Sequence, residues 1–520
     1  MPEEVDVLIV GSGAAAVHAA KPILKAGRKV IMLEAGDQLS ETPPEGNILS
    51  LIGNNQTFEK GFGGDVSAIS GNRDTSPKLL TSLGREVATS GNLYSKIDLE
   101  NYKLYRAANL GGLSELWGAY TTAFGNEEIT RLGFPVDEMR KAYAEIADEI
   151  GVSGLNDELG EFHGDWFNLE PPTNLSPHLK HVLKRYKKLL SSQDFALGVA
   201  RNAVITLRKP LRQECNHCGL CLYGCSRKSI YSPTQTLQSL LDNPNFTLRT
   251  NTEVVDVVSK QEGGAFVTGK NKKIYAAKIV ILAAGTINST ILSAKLLKLN
   301  SVCVDLINNP ASALAFLLPR FVGRGLQDAE FALAQLAYTM PTRSRDESVT
   351  GSFYSASTIP MQYFAREMPF SRKAALKISR YLSSGLILSN LFLPGSFSKN
   401  RLSLNFSNSK KFAITGEWTK TAIEESNFQK NQLIKVMRSL GAYYIPKSFT
   451  LSTPGSDAHV AGTISINDSS SLTCTANCEL KGKRDIYVVD GSVISSLPAK
   501  HLTFTIMANA RRVGRHVVKM

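Results

Sequence analysis

The chain has 520 residues, 43% of them hydrophobic, 20% charged and 8% aromatic, with a formal net charge of +13. These values exclude a disordered, collagen-like or fibrous chain and fit a large globular protein of more than one domain. The positive excess raises the question of an acidic partner, but no nucleic-acid motif accompanies it, and nucleic acid is set aside.

In chain order, VDVLIV from Val5, then Gly11–Ala16, then VHAAKPILKAGRKVIMLEAG predict strand, tight turn, helix and strand, one βαβ unit. Its early start leaves no room for a signal peptide, so a cytoplasmic protein is expected. Gly11, Gly13 and Ala16 form G-x-G-x-x-A. The first glycine permits the turn, the second lets a pyrophosphate approach the backbone, and the small third residue lets helix and strand pack closely. Glu34 ends the next strand, where a carboxylate accepts hydrogen bonds from ribose hydroxyls. The pattern predicts a dinucleotide site and leaves FAD and NAD both open.

Residues 108–124, ANLGGLSELWGAYTTAF, read as a glycine-rich turn entering an apolar segment, and 135–154 have helical spacing with a glycine stop. A basic run, KHVLKRYKK, spans Lys180 to Lys188. Short β runs fill 246–290, and a helix is predicted from Asn288. Residues 310–450 are less regular, with strands such as RLSLNF and FAITGEW between helices, and are the natural candidate for an inserted substrate domain. Within them Arg372, Lys373, Lys377 and Arg380 form a second basic group. The two groups read first as solvated helix faces; an anionic membrane or an acidic redox partner is the alternative. The longest apolar stretch, Leu386 to Leu393, is broken by Ser389 and Asn390 and falls short of the ~20 residues that span a bilayer. The segment Phe370 to Phe397, basic first and apolar afterwards, offers a weak case for membrane-surface contact, with a core or substrate-cavity helix preferred.

The tail carries HVAGT from His459 and then DIYVVDGSVISSLPAKHLTFTIMANA, with His501 just before a predicted helix. Oxidising an alcohol requires removal of the hydroxyl proton as a hydride leaves. A neutral imidazole can take that proton, and a second can hold the oxygen and stabilise developing alkoxide. His459 is the candidate base and His501 its partner.

Four places give the chain a resemblance to the glucose-methanol-choline (GMC) family of flavoproteins: the N-terminal loop, LGGLSELWG at 110–118, IVILAAGTINSTILSAKL at 279–296, and the tail. The resemblance implies an α/β fold. It comprises a Rossmann-type FAD-binding domain, of the kind shared with p-hydroxybenzoate hydroxylase, and an inserted α+β substrate domain on an antiparallel sheet. It assigns 1–165, 201–309 and 451–520 to the FAD-binding domain, and 166–200 and 310–450 to the substrate domain. Gly11, Gly13, Ala14, Ala16 and Glu34 would lie at the cofactor, as would Gly111, Gly112, Ser114 and Trp117 beside the flavin. Val254, Ala284 and Gly285 match positions near adenine. Asp490 and Gly491 match the diphosphate side, Thr503 is a further cofactor-binding position, and His459 and His501 match the catalytic pair. Two departures bear on substrate class: Trp117 stands where oxidases of the family often carry Asn, and the family's Leu-x-Asp-His segment is only partly kept in VGRGLQDAEF.

Cys215, Cys218, Cys221 and Cys225 spell C-x2-C-x2-C-x3-C, the spacing of a ferredoxin run, with Ser226 in place of the usual proline. Three readings stay open: a 4Fe–4S or 3Fe–4S cluster, packed reduced thiols, and zinc. Some sugar dehydrogenases that resemble the family carry a cluster here, whereas sterol-oxidase-like and long-chain-alcohol-oxidase-like members have a Cys-rich segment with none established. His217 reads as a polar loop residue.

The expected function is FAD-dependent oxidation of a sugar, glycoside or polyol-like alcohol, with electrons passing to a cluster, an acceptor protein or a quinone. A sterol or long-chain alcohol oxidase using dioxygen is the first alternative. A flavin-dependent isomerase or electron-transfer subunit is the second.

Overall fold

The computed structural model of the chain describes residues 2–53, 77–91, 96–189, 194–325, 329–359, 368–407, 411–466 and 470–520. The Leu326–Asp328 part of VGRGLQDAEF lies outside them. VDVLIV forms the strand Glu3–Val10, with Val7, Leu8 and Ile9 fully buried, as expected of a parallel strand covered on both faces. Parallel neighbours run in the order Phe246–Arg249, Val30–Leu33, Glu3–Val10, Ile274–Leu282. Beyond Ile274–Leu282 the far side is shared. The antiparallel hairpin Val254–Ser259 and Ala265–Gly269 pairs with the strand's first half, and Ile486–Val488 runs parallel to its last three residues.

This seven-stranded sheet draws together residues almost five hundred positions apart. The helix Ala14–Lys25 carries a face of Ala15, Ala16, Ala19 and Ala20 that packs against the helix Thr503–Lys519. A Cβ on Gly514 would sit 2.4 Å from the Ala19 carbonyl oxygen, so only glycine allows this approach. The pair is also tied by polar groups: Arg511 donates to the His18 carbonyl (3.2 Å), to His18 Nδ1 (3.0 Å) and to Glu149 (2.7 Å).

A second seven-stranded sheet is antiparallel, in the order Tyr443–Tyr444, Ala311–Leu317, Leu386–Phe392, Ser348–Ser355, Leu336–Pro341, Ala196–Val199, with Thr450–Leu451 also paired to Ala311–Leu317. It encloses a second apolar core with the helix Lys420–Ser439. One expectation is corrected here. The apolar stretch at 386–393, expected as a core or cavity helix, is a strand at the centre of this sheet. Its buried residues alternate, Ile387, Ser389 and Leu391, a period of two that suits a pleated strand. Only Arg372–Ser383, the basic half of that segment, is helical. RLSLNF and FAIT join Ser301–Leu306 in a separate four-stranded sheet with Asp98–Glu100, so the strands of 310–450 are divided between two sheets. No helix among the described residues is long and apolar enough to cross a membrane.

Candidate active site

A cavity of about 410 Å³ lies where the first sheet's parallel strands end. The turn at its base is Gly11–Gly13. Gly11 has φ +102°, and a Cβ there would meet the Ala283 carbonyl oxygen at 2.3 Å, so the first glycine seats the strand Glu3–Val10 against the Ala283–Gly285 turn. Three helices begin at the cavity: Ala14–Lys25 after Gly13, Thr286–Leu296 after Gly285, and Thr503–Lys519 after Leu502. None has a side-chain cap, and none has an acidic residue in its first turn. Their free N–H groups and positive dipole ends therefore favour an anion in the cavity.

Of the sequence-predicted cofactor residues, Gly11, Gly13, Ala14 and Glu34 line the cavity, as do Gly111, Gly112, Ser114 and Trp117. Val254, Ala284, Gly285, Asp490, Gly491 and Thr503 line it too. Ala16 does not; it is fully buried. Glu34 is more occupied than expected. It accepts from Ser12 N (3.0 Å), Ser12 Oγ (2.7 Å) and Gly36 N (3.2 Å), and Ser12 Oγ in turn accepts from Gly111 N at 3.1 Å. The carboxylate thus fastens the first turn to the 110–118 loop. Burial pushes its pKa up.

Asp490 is likewise a brace. Ser289 Oγ donates to it at 2.5 Å and also accepts from Ala284 N at 3.1 Å, while Ser492 donates through both N and Oγ. The acid joins the Ala283–Gly285 turn to the tail, and burial raises its pKa as well. Trp117 is anchored by its indole N–H to the Tyr231 carbonyl at 2.7 Å.

His459 and His501 meet at one end of the cavity, with ring centroids 5.0 Å apart and planes at 84°. Burial, then the neighbouring His459, holds the His501 imidazole well below its ordinary pKa, so it is neutral at physiological pH. Its Nδ1 is buried with no hydrogen-bond partner among the described residues. His459 Nδ1 lies 3.4 Å from Asp457 Oδ2, within ion-pair distance but not aligned as a hydrogen bond. Asp457 is held by Asn308 Nδ2 (3.1 Å) and Asn309 N (3.1 Å), and Asn308 Nδ2 also donates to the His459 carbonyl. Phe392 places its ring 5.6 Å from His459 and 5.2 Å from His501, and Tyr120 lies 4.8 Å from His501. Asp457, Phe392 and Tyr120 had escaped sequence reasoning. Only Asp457, two residues before His459, carried a local signal.

The four cysteines of the 215–225 loop lie close enough to one another to interact electrostatically. Among the described residues no group of three or more His, Cys, Asp or Glu is placed to hold a metal ion, so the cluster and zinc readings of Cys215, Cys218, Cys221 and Cys225 gain no support from the structure. Backbone bonds hold the loop instead: the Cys218 carbonyl accepts from Ile48 N and the His217 carbonyl from Glu330 N. Three of the sulfurs pack against the main core. Burial pushes the Cys215 thiol up to about 11 and raises those of Cys218 and Cys221. His217 Nε2 accepts from Asn174 N at 3.0 Å, a loop tether as expected.

Fold and site together define a mixed α/β protein whose principal cavity is lined by both the first and the last segments of the sequence. The fold is shared with the crystal structure of pyridoxine 4-oxidase from Mesorbium loti, at a TM-score of 0.57 and 13% identity, over 98% of this chain and 99% of that chain. No family model matches the chain, and no curated protein matches it by sequence.

Proposed function

We propose that the chain is an FAD-dependent oxidoreductase acting on an alcohol. One observation carries the reading: a single cavity joins three uncapped helix starts to the half-buried pair His459 and His501. The residues fit the cofactor. Gly13, Ala14 and Thr503 offer N–H groups to the pyrophosphate, Glu34 lies on the ribose side, Val254 lies on the adenine side, and Gly111–Ser114 with Trp117 form the wall beside the flavin. When bound, FAD supplies the two-electron acceptor for the carbinol hydride.

The chain's own residues manage the proton. Asp457 turns the Nδ1 edge of His459 toward itself, which leaves Nε2 to receive the hydroxyl proton as general base. Kept neutral by burial, His501 holds the substrate oxygen by one N–H and adds no positive charge to the ground state. Phe392 covers both imidazoles and excludes water from them. No step passes through the cysteines.

For the substrate, a small hydroxylated molecule of sugar, glycoside or polyol type is the first reading. A second, an alcohol bearing a flat ring and oxidised with dioxygen, is favoured by the Phe392 and Tyr120 rings at the histidines and by the oxidase named in the structural likeness. The test is anaerobic mixing of the purified protein with panels of sugars, ring-bearing alcohols, sterols and long-chain alcohols. A yellow protein whose flavin absorbance bleaches with one class supports the reading and names the class. A folded, colourless protein that takes up no FAD overturns it.

A further inference from the structure

Three segments far apart in sequence meet on one surface: the helix Pro177–Leu189, the turn at 319–325 and the helix Arg372–Ser383. Their contacts are direct. The His181 ring lies 5.5 Å from Phe321, Gly323 N donates to the Tyr381 carbonyl at 3.0 Å, and Ser384 Oγ donates to the Phe321 carbonyl at 2.7 Å. None of the three contains an Asp or Glu. The first helix exposes Lys180, Lys184, Lys187 and Lys188. The turn adds exposed Arg320 and Arg324, and the second helix adds Lys373, Lys377 and Arg380. Among the described residues none of these nine cations pairs with a carboxylate. Their mutual proximity is felt at His181, which burial and then Arg320, Arg185, Lys184 and Arg324 hold below its ordinary pKa. Two large rings stand in the same patch, Phe370 at 56% and Tyr381 at 63% exposed.

A merely solvated surface interleaves charges of both signs, and elsewhere on this chain Lys270, Lys273 and Lys278 each pair with an acid. Here fold brings two separate basic runs and a basic turn together with no acid in any of the three segments, the nearby Glu330 being buried, and sets exposed aromatic rings beside them. Cations draw a surface to anionic headgroups, and aromatic rings settle at the boundary between headgroups and acyl chains. We propose that this face docks the protein on an anionic lipid bilayer, with Phe370 and Tyr381 entering the headgroup region. The inference is independent of the chemistry assigned to the cavity.

The test is flotation of the full-length, FAD-loaded protein with vesicles of phosphatidylcholine alone or with about 30 mol% phosphatidylserine. Binding to the anionic vesicles only, weakening as salt rises from ~0.1 to ~0.5 M, is expected. Each cation removed weakens binding about 5-fold, so Lys180→Glu/Lys184→Glu, Arg320→Glu/Arg324→Glu and Lys373→Glu/Lys377→Glu each lose about 25-fold or more. Phe370→Ser/Tyr381→Ser weakens binding without changing its salt slope. Reversal at Lys25 and Lys272 instead changes nothing, and a circular dichroism spectrum unchanged from the parent confirms folding of each variant. No flotation with either vesicle, equal flotation with both, or loss confined to one of the three segments overturns the proposal. So does equally tight binding to duplex DNA or an acidic protein that ignores Phe370→Ser/Tyr381→Ser, since that marks a generic cation surface.

Discussion

The cavity wall and the cysteine loop both began as spaced motifs, yet only the first is built from strand ends into the wall of a cavity. At the cavity, each motif sits at the end of a parallel strand: Gly11 after Glu3–Val10, Glu34 after Val30–Leu33, Ala283–Gly285 after Ile274–Leu282, and Asp490 after Ile486–Val488. Parallel pairing brings such ends to one edge of a sheet whatever their separation in sequence. The four thiols sit on a loop outside any sheet, and that loop is directed by its backbone bonds to Ile48 and Glu330.

The comparison can be broken most decisively at His459. His459→Ala should slow flavin reduction by alcohol about 10²- to 10⁴-fold while leaving flavin bound, measured by anaerobic stopped flow; bleaching at the parental rate removes the base from the cavity's account. Asp457→Asn is expected to lower the reduction rate about 10- to 100-fold with little change in KM, because the imidazole loses its orienting partner. Gly11→Val forces a side chain onto the Ala283 carbonyl at a positive φ. It should cost about 3 kcal/mol or more in denaturant unfolding and yield flavin-free protein.

A fourth outcome concerns the polar tie between the two helices. His18 is buried and accepts from Arg511, and burial lowers its pKa from 6.5 to about 3. Because the folded value lies below the unfolded one, the unfolded chain takes up the proton first. Stability at this site is whole above pH 6.5 and is lost at about 1.4 kcal/mol per pH unit as pH falls from 6.5 toward 3. Thermal midpoints across that window check it; a flat profile would show that the residue is not held neutral. The smallest effect is expected at the loop. Cys218→Ser should leave the visible spectrum unchanged and shift stability by about 1 kcal/mol or less. A broad brown absorbance in anaerobically purified parent protein, absent from the variant, would place the thiols alongside the cavity as an assembled site.

Much of this was legible before the fold was known. The βαβ unit and the helices at 136–150 and 286–296 stand where local pattern placed them, and every proposed cofactor residue except Ala16 lines the cavity. Glycine turns and strand periodicity are properties of a few consecutive residues. What escaped depended on partners distant in sequence. Leu386–Phe392 looked like a core helix because short apolar runs do not announce their period until strands pair on both sides. Phe392 reaches the histidines only through that pairing, and Glu34 turned inward because Ser12 and Gly36 approach it.

The packing of Ala14–Lys25 against Thr503–Lys519 sets an order of events. The Arg511–His18 bond spans 493 residues, and Ile486–Val488 completes its sheet against a strand ending at Leu282. The early turn that would cradle a pyrophosphate emerges from the ribosome long before two of the three helix starts it works with. An incomplete chain cannot present the whole cavity, so cofactor capture becomes a late event in biosynthesis, and a captured cofactor marks chains whose distant segments have met.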